Sequence, residues 1–168
     1  MSRITYPSLE HVAMEKRPYP AELLAGCESG LCLFAAAFLG HNDVIHFAEA
    51  GIPDVTLVDV DGERLREMNE LYRDKRWQFI EADAFGFARA SRILGTKWDA
   101  VSVDTFTGSA LERSLGDLEQ WTSIARRFVT VTATRDASYR VPRGWRSSIH
   151  WRSTDAYWLV LEPDRVPA

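Results

Sequence analysis

The chain has 168 residues, 46% apolar and 26% charged, the proportions of a single globular domain with its own core. Its formal net charge of −4 argues against a protein that coats nucleic acid over its whole surface. No apolar run reaches the ~18 residues of a membrane span. The first residues hold no apolar stretch of the kind a secretory signal needs, and the two cysteines, Cys27 and Cys32, suit neither a disulfide framework nor a zinc site. The expected setting is therefore a reducing cytoplasm, without a metal centre.

Taken in chain order, Pro20 opens a short helix over residues 20–28, and Ser29-Gly30 breaks it. Residues 1–30 as a whole read as a helical lid or as a packing segment, with Tyr6 and Tyr19 as its aromatic anchors. The continuous apolar run LCLFAAAF, residues 31–38, reads as a strand buried on both faces. Residues 43–51 read as a helix capped by Asp43 and ended by Gly51. A β-branched strand follows at 55–60, then an amphipathic helix at 62–75 with Leu65, Met68, Leu71 and Tyr72 on one side. Residues 77–83 form a strand, 84–94 a helix, 98–104 a strand, 117–127 a helix capped by Asp117, and 128–134 a strand. The rhythm then changes: 145–152 and 156–163 are two strands separated by three residues, a hairpin.

Five strands joined by helical crossovers, then a hairpin, give an α/β domain spanning residues 1–168. It is an open, mostly parallel, seven-stranded Rossmann-like sheet with helices on both faces and an antiparallel C-terminal hairpin. Such sheets bind ligands at the carboxyl ends of their strands, where the strand order reverses. After the first strand comes Gly40-His41-Asn42-Asp43, in which Asn42 stands where a glycine-rich loop carries a second glycine. Asparagine tolerates a left-handed backbone better than other non-glycine residues, so Asn42 is expected to supply that conformation. After the second strand, Asp59 lies 19 positions beyond Gly40, with Val60 and Asp61 behind it. Asp59 is placed to accept ribose hydroxyls and Asp61 to cap the next helix. Asp83, followed by Ala84, ends the third strand and can accept from an exocyclic amine or cap a helix. Asp104 ends the fourth.

With these residues, the sequence resembles the class I S-adenosylmethionine methyltransferases over roughly residues 31–163. The resemblance implies that FLGHND is the loop cradling the methionine part of the cofactor, through Gly40, His41 and Asn42. It implies that Asp59 with Val60 meets the ribose, that Asp83 with Ala84 meets adenine, and that Asp104 in DTFTG faces the methyl donor and acceptor. Asp104 is then either a general base or an orienting group. The block VSVDTFTG is also similar to that of spermidine-synthase-like aminopropyltransferases, whose usual N-terminal β domain this chain is too short to hold. A non-catalytic nucleotide-binding protein on the same fold is a further alternative. DTFTG lacks the prolines of the amino-methylating nucleic-acid enzymes, and no Pro-Cys dipeptide is present.

Charge is unevenly spread. Residues 1–125 carry net −8, residues 126–152 net +6 with seven arginines, and residues 153–168 net −2. Arg135, Tyr139 and Arg143, with Phe106 of DTFTG, are the expected acceptor-binding residues. The acceptor is a small molecule or nucleotide-like compound, and the basic stretch admits a nucleic acid. His41 is either a surface loop residue or a contact to the cofactor; His46 is packed or solvated inside its helix.

Overall fold

The structure is a computed structural model and describes residues 16–36, 40–105 and 108–165. The described residues form seven strands: β1 (Ser29–Leu33), β2 (Asp54–Asp59), β3 (Gln78–Glu81), β4 (Trp98–Val103), β5 (Ala125–Thr134), β6 (Trp145–Trp151) and β7 (Ala156–Pro163). They form one sheet in the order β3-β2-β1-β4-β5-β7-β6. The first five are parallel, and β7 runs antiparallel to both β5 and β6. The order reverses between β1 and β4, which places the switch point there. The helices are α1 (Gly40–Glu49), α2 (Gly62–Leu71), α3 (Ala84–Leu94), α4 (Gly108–Gly116) and α5 (Glu119–Thr122).

Alternation along the strands fills two cores, one on each face. Leu31 and Leu33 of β1 join Val101, Val129 and Trp121 on one side. Cys32 of β1 joins Phe47, Leu57, Met68 and Trp158 on the other. Gly30 is required by this packing: a Cβ there would lie 2.5 Å from the Phe47 ring, so α1 could not sit against β1. Both thiols, Cys27 and Cys32, are free and buried. Among the described residues no helix is long and apolar enough to cross a membrane, and no group of His, Cys, Asp and Glu could hold a metal ion.

Several boundaries differ from the sequence reading. The helix expected over 20–28 is a single 3-10 turn, Ala21–Leu24. β1 ends at Leu33, not at residue 38, because Phe34 turns the chain with φ 60°. The crossover helix α1 begins at Gly40, not Asp43, so Asp43 lies inside it and does not cap it. The helix expected at 117–127 is only the short α5, with no side-chain cap from Asp117. β5 begins at Ala125, whose pairing with Trp98 draws three more residues into the sheet. Helix α4 had no clear signal, since it opens on Gly108-Ser109.

Phe34 is the only non-glycine residue with positive φ among those described. An aromatic side chain in that region costs roughly 1–3 kcal/mol and persists only where neighbours enforce it. Here the Phe34 ring meets Phe85 edge-on at 5.8 Å, and the amide of Ala35 donates to the Val58 carbonyl at 3.2 Å. We expect Phe34→Ile to unfold at lower urea than Phe34→Asn, although isoleucine is the more apolar. The β-branched residue meets the larger backbone penalty; the reverse order would show that the turn is not held left-handed.

Candidate active site

Asp59 closes β2 at the carboxyl edge beside the switch point and is 9% exposed. Its Oδ2 accepts from the Ala36 amide at 3.1 Å and its Oδ1 from the Asp61 amide at 2.9 Å. Burial raises its pKa, and these amides work against that rise. The Val60 amide acts on the same carboxylate, so three main-chain amides meet a group with about four lone-pair sites, and acceptor capacity is left for a ligand hydroxyl. Val60, next along the chain, is 68% exposed, an open apolar side chain beside the acid. Asp61 caps α2 by accepting from the Arg64 amide at 3.0 Å. Asp83 is exposed just beyond β3 and caps α3 through Oδ2 to the Gly86 amide at 2.8 Å, while Ala84 is buried behind it.

The residues after β1 are placed differently from the sequence expectation. Asn42 is in a right-handed helix, so it does not supply the left-handed conformation; Phe34 does. The Asn42 side chain is 2% exposed and clasps the main chain of Arg17, accepting from its amide at 2.7 Å and donating to its carbonyl at 3.4 Å. His46 donates from Nε2 to the same carbonyl at 2.9 Å. The segment so clasped continues into Tyr19, whose ring stacks on His46 at 5.2 Å and whose hydroxyl pairs with Thr130 at 3.1 Å. Residues 16–19 therefore pack onto the sheet, while Tyr6 lies outside the described residues.

His41 is not a surface loop residue. It is fully buried in the first turn of α1, with Nε2 2.9 Å from the Tyr72 hydroxyl. Burial, and secondarily the Arg64 charge, lower its pKa to about 4. A histidine kept neutral in the fold stabilises it fully above the unfolded pKa of about 6.5, and that stability is lost as pH falls. Between about pH 6.5 and 4 the loss from His41 alone is roughly 3 kcal/mol, in the same direction as the lowered His46. Urea midpoints measured across this window should fall steeply, and His41→Gln should flatten the slope. An unchanged slope would contradict it.

Beneath the switch point lies a buried polar network. Asp43 of α1 is 1% exposed and Asp104, just after β4, is 0% exposed. Ser102 donates to Asp43 Oδ2 at 2.5 Å, and Thr130 donates to Ser102 at 3.0 Å. Thr132 donates to Asp104 Oδ1 at 2.6 Å, and Arg152 donates to the same oxygen at 2.9 Å. The Arg152 guanidinium also lies over the Trp158 ring, 4.1 Å from its centre. Asp43 Oδ1 and Asp104 Oδ2 are both buried without a hydrogen-bond partner. Two buried carboxyls that act on each other in a closed site cannot both be ionised, so one of them keeps its proton. Arg152 sits on Asp104, so the proton belongs to Asp43, whose pKa is pushed well up, first by burial and then by the Asp104 charge.

Asp104 is consequently not presented as a general base: it is enclosed, and its charge is matched by Arg152. The basic stretch is also divided. Arg135 is exposed at the carboxyl edge, where its amide donates to the Asp155 carbonyl at 2.9 Å. Tyr139 is half-buried against the core and helps raise the Tyr157 pKa to about 12, after burial. Arg143 lies at the opposite end of the sheet, beside the starts of β5 and β6. These three therefore do not form one acceptor site. Phe106 lies outside the described residues. The roles of Asp43 and Arg152 were not visible in the sequence: one looked like a cap and the other like the last residue of a strand in the basic stretch.

No protein-family model matches the sequence, and no curated protein is similar to it. Solved structures are similar in fold. One is yhhF of Escherichia coli, a candidate methyltransferase, with TM-score 0.66 and 15% identity over 95% of this chain and 89% of that one. Another is a candidate methylase from Haemophilus influenzae, with TM-score 0.63 and 10% identity over 94% and 89%. A third is fibrillarin of Aeropyrum pernix with natively bound S-adenosyl-L-methionine, with TM-score 0.60 and 12% identity over 90% and 73%. The fold is that of the class I methyltransferases. The closing order β5-β7-β6 belongs to this methyltransferase-like sheet and separates it from a fully parallel one.

Proposed function

We propose that the protein is an S-adenosylmethionine-dependent methyltransferase acting on a small or nucleotide-like acceptor. The observation that carries this reading is Asp59 at the end of β2, held by main-chain amides with acceptor capacity to spare, and with the open side chain of Val60 beside it. Those are the groups a nucleoside needs: a fixed carboxylate to accept from the two ribose hydroxyls and an apolar face for the base. Asp83 keeps its second oxygen for an exocyclic amine. Gly40, His41 and Asn42 support the methionine side of the site through backbone only, since the polar groups of His41 and Asn42 point into the protein.

When bound, the cofactor supplies an electrophilic sulfonium methyl. The chain's own work is then positioning and exclusion of water. Asp59 and the Ala35-Ala36 turn lock the ends of β2 and β1 together, so the ribose acceptor is fixed by main-chain bonds. Asp104 holds the end of β4, and with it buried Thr105, through Arg152 and Thr132. Any proton released by the acceptor must leave by a route other than Asp104. Arg135, exposed at the same edge, offers a cation to an anionic acceptor or a nucleic-acid phosphate. The free thiols Cys27 and Cys32 support a reducing compartment such as the cytoplasm.

The direct test is a thermal shift with S-adenosylhomocysteine beside NAD and ATP. A ligand at 100 times its Kd stabilises by about 2.7 kcal/mol, which for a domain of this size raises Tm by about 5 °C or more. No shift at millimolar S-adenosylhomocysteine would sink the proposal. A second reading, binding without turnover, is favoured by the enclosure of Asp104. Transfer of a labelled methyl group into metabolite, protein or nucleic-acid pools decides between the two.

A further inference from the structure

We propose that the cavity at the amino-terminal ends of β4, β5 and β6 is a second ligand site, one that takes a nucleotide through its phosphate and base. The cavity measures about 570 Å³, the size of a pocket that encloses a nucleotide-sized molecule. It lies about 20 Å from the carboxyl edge, the length of a six-residue strand such as β4. It is therefore distinct from the cofactor position and does not depend on that reading.

Its wall holds Lys97, Arg140 and Arg143, three cations. Among the described residues, none of these three side chains makes an ion pair or hydrogen bond with another group. Arginine pairs that are not used internally, on a surface with net negative charge elsewhere, suit a phosphate held in bidentate fashion. The half-buried Trp145 lines the same cavity. Its position is set by Gly144, with φ 84°, and by its amide donating to the Pro142 carbonyl at 3.1 Å. An indole so placed offers a face on which a base stacks. Two acids complete the lining. Glu119 is turned to Arg92 at 3.4 Å. Asp117 is exposed and unpaired, an acceptor for an amino group on the base. Cation, aromatic face and carboxylate together describe an amino-bearing nucleotide better than a free phosphate. The nucleotide is either free or one unit of a single-stranded nucleic acid.

Calorimetric titration with CMP, UMP, inorganic phosphate and a short single-stranded RNA tests this. It should be done on the wild type, on Asp59→Ala and on the double variant Arg140→Ala/Arg143→Ala. Both arginines are exposed, so the double variant keeps the fold. CMP should bind more tightly than phosphate or UMP, equally well to wild type and Asp59→Ala, and at least ten-fold more weakly to the double variant. RNA binding tighter than CMP, with the same ten-fold loss, would identify the polymer as the source; CMP binding as tight as RNA would identify the free nucleotide. Absence of binding by both CMP and RNA at millimolar concentration would overturn the proposal. So would binding undiminished in the double variant.

Discussion

Asp104→Asn is expected to destabilise the protein by about 3 kcal/mol or more, whereas Asp43→Asn should cost less than about 1 kcal/mol. The two residues are both fully enclosed carboxyls, so burial alone predicts equal effects. The proton that one of them keeps makes the difference. An asparagine at 43 is neutral like a protonated acid, and its Oδ1 can still accept from Ser102. An asparagine at 104 removes the charge that balances Arg152, whose side chain is 5% exposed. Unfolding in urea measures both. A loss at Asp43→Asn equal to or greater than that at Asp104→Asn would place the proton on the other carboxyl.

The same pair gives a pH dependence of opposite sign to that of His41. The pKa of Asp43 is raised in the fold, so its contribution is complete below the ordinary carboxyl range and declines as pH rises toward its folded pKa. Asp43→Asn carries no titrating group, so it should gain on the wild type as the solution becomes alkaline. Loss of the proton would leave two carboxylates against one arginine in a closed site.

The second large effect is on ligand binding. Asp59→Ala is expected to weaken S-adenosylhomocysteine at least about 100-fold, since charged hydrogen bonds contribute about 1.5–3 kcal/mol each and two are lost. The variant also leaves the buried Ala36 amide without its acceptor, so Tm falls independently of ligand. Calorimetry at a temperature where the variant remains folded separates the two losses. A Kd within a few fold of wild type would remove the ribose from Asp59.

Much of this arrangement was legible in the sequence, and the failures have identifiable causes. α3 and β7 were read with their observed boundaries, because each has one strong periodic signal between clear breaks. Asp59 was legible as the acid that ends β2, since an acid after a β-branched run is a local pattern; β3 stops at Glu81, two residues short of Asp83, which caps the next helix. The end of β1 was misread because LCLFAAAFL contains no glycine, proline or asparagine to mark a turn; the chain turns at a phenylalanine. That error moved Gly40 to Asp43 from a helix into a loop. It gave His41 and Asn42 a ligand to hold when they hold Tyr72 and Arg17. The Asp43–Asp104 pair joins residues 61 positions apart on different elements, and no window of sequence contains both. The arginine-rich stretch looked like one patch because its members are close in the chain. The linker between β5 and β6 runs the length of the sheet and carries them to opposite ends.

The place of β7 has a consequence for how the molecule assembles. It follows β6 in the chain yet lies between β5 and β6, and every strand bond of β6 is made with it. β6 has no docking position until β7 has entered beside β5. The turn joining them carries Arg152, the partner of Asp104, and β7 itself carries Trp158, whose indole donates to the Pro18 carbonyl across 140 positions. One late event therefore sets the sheet's outer edge, neutralises the acid at its centre and pins the segment before the first strand. Such non-local closure makes folding slow, and it makes the completed fold hard to open from either side alone.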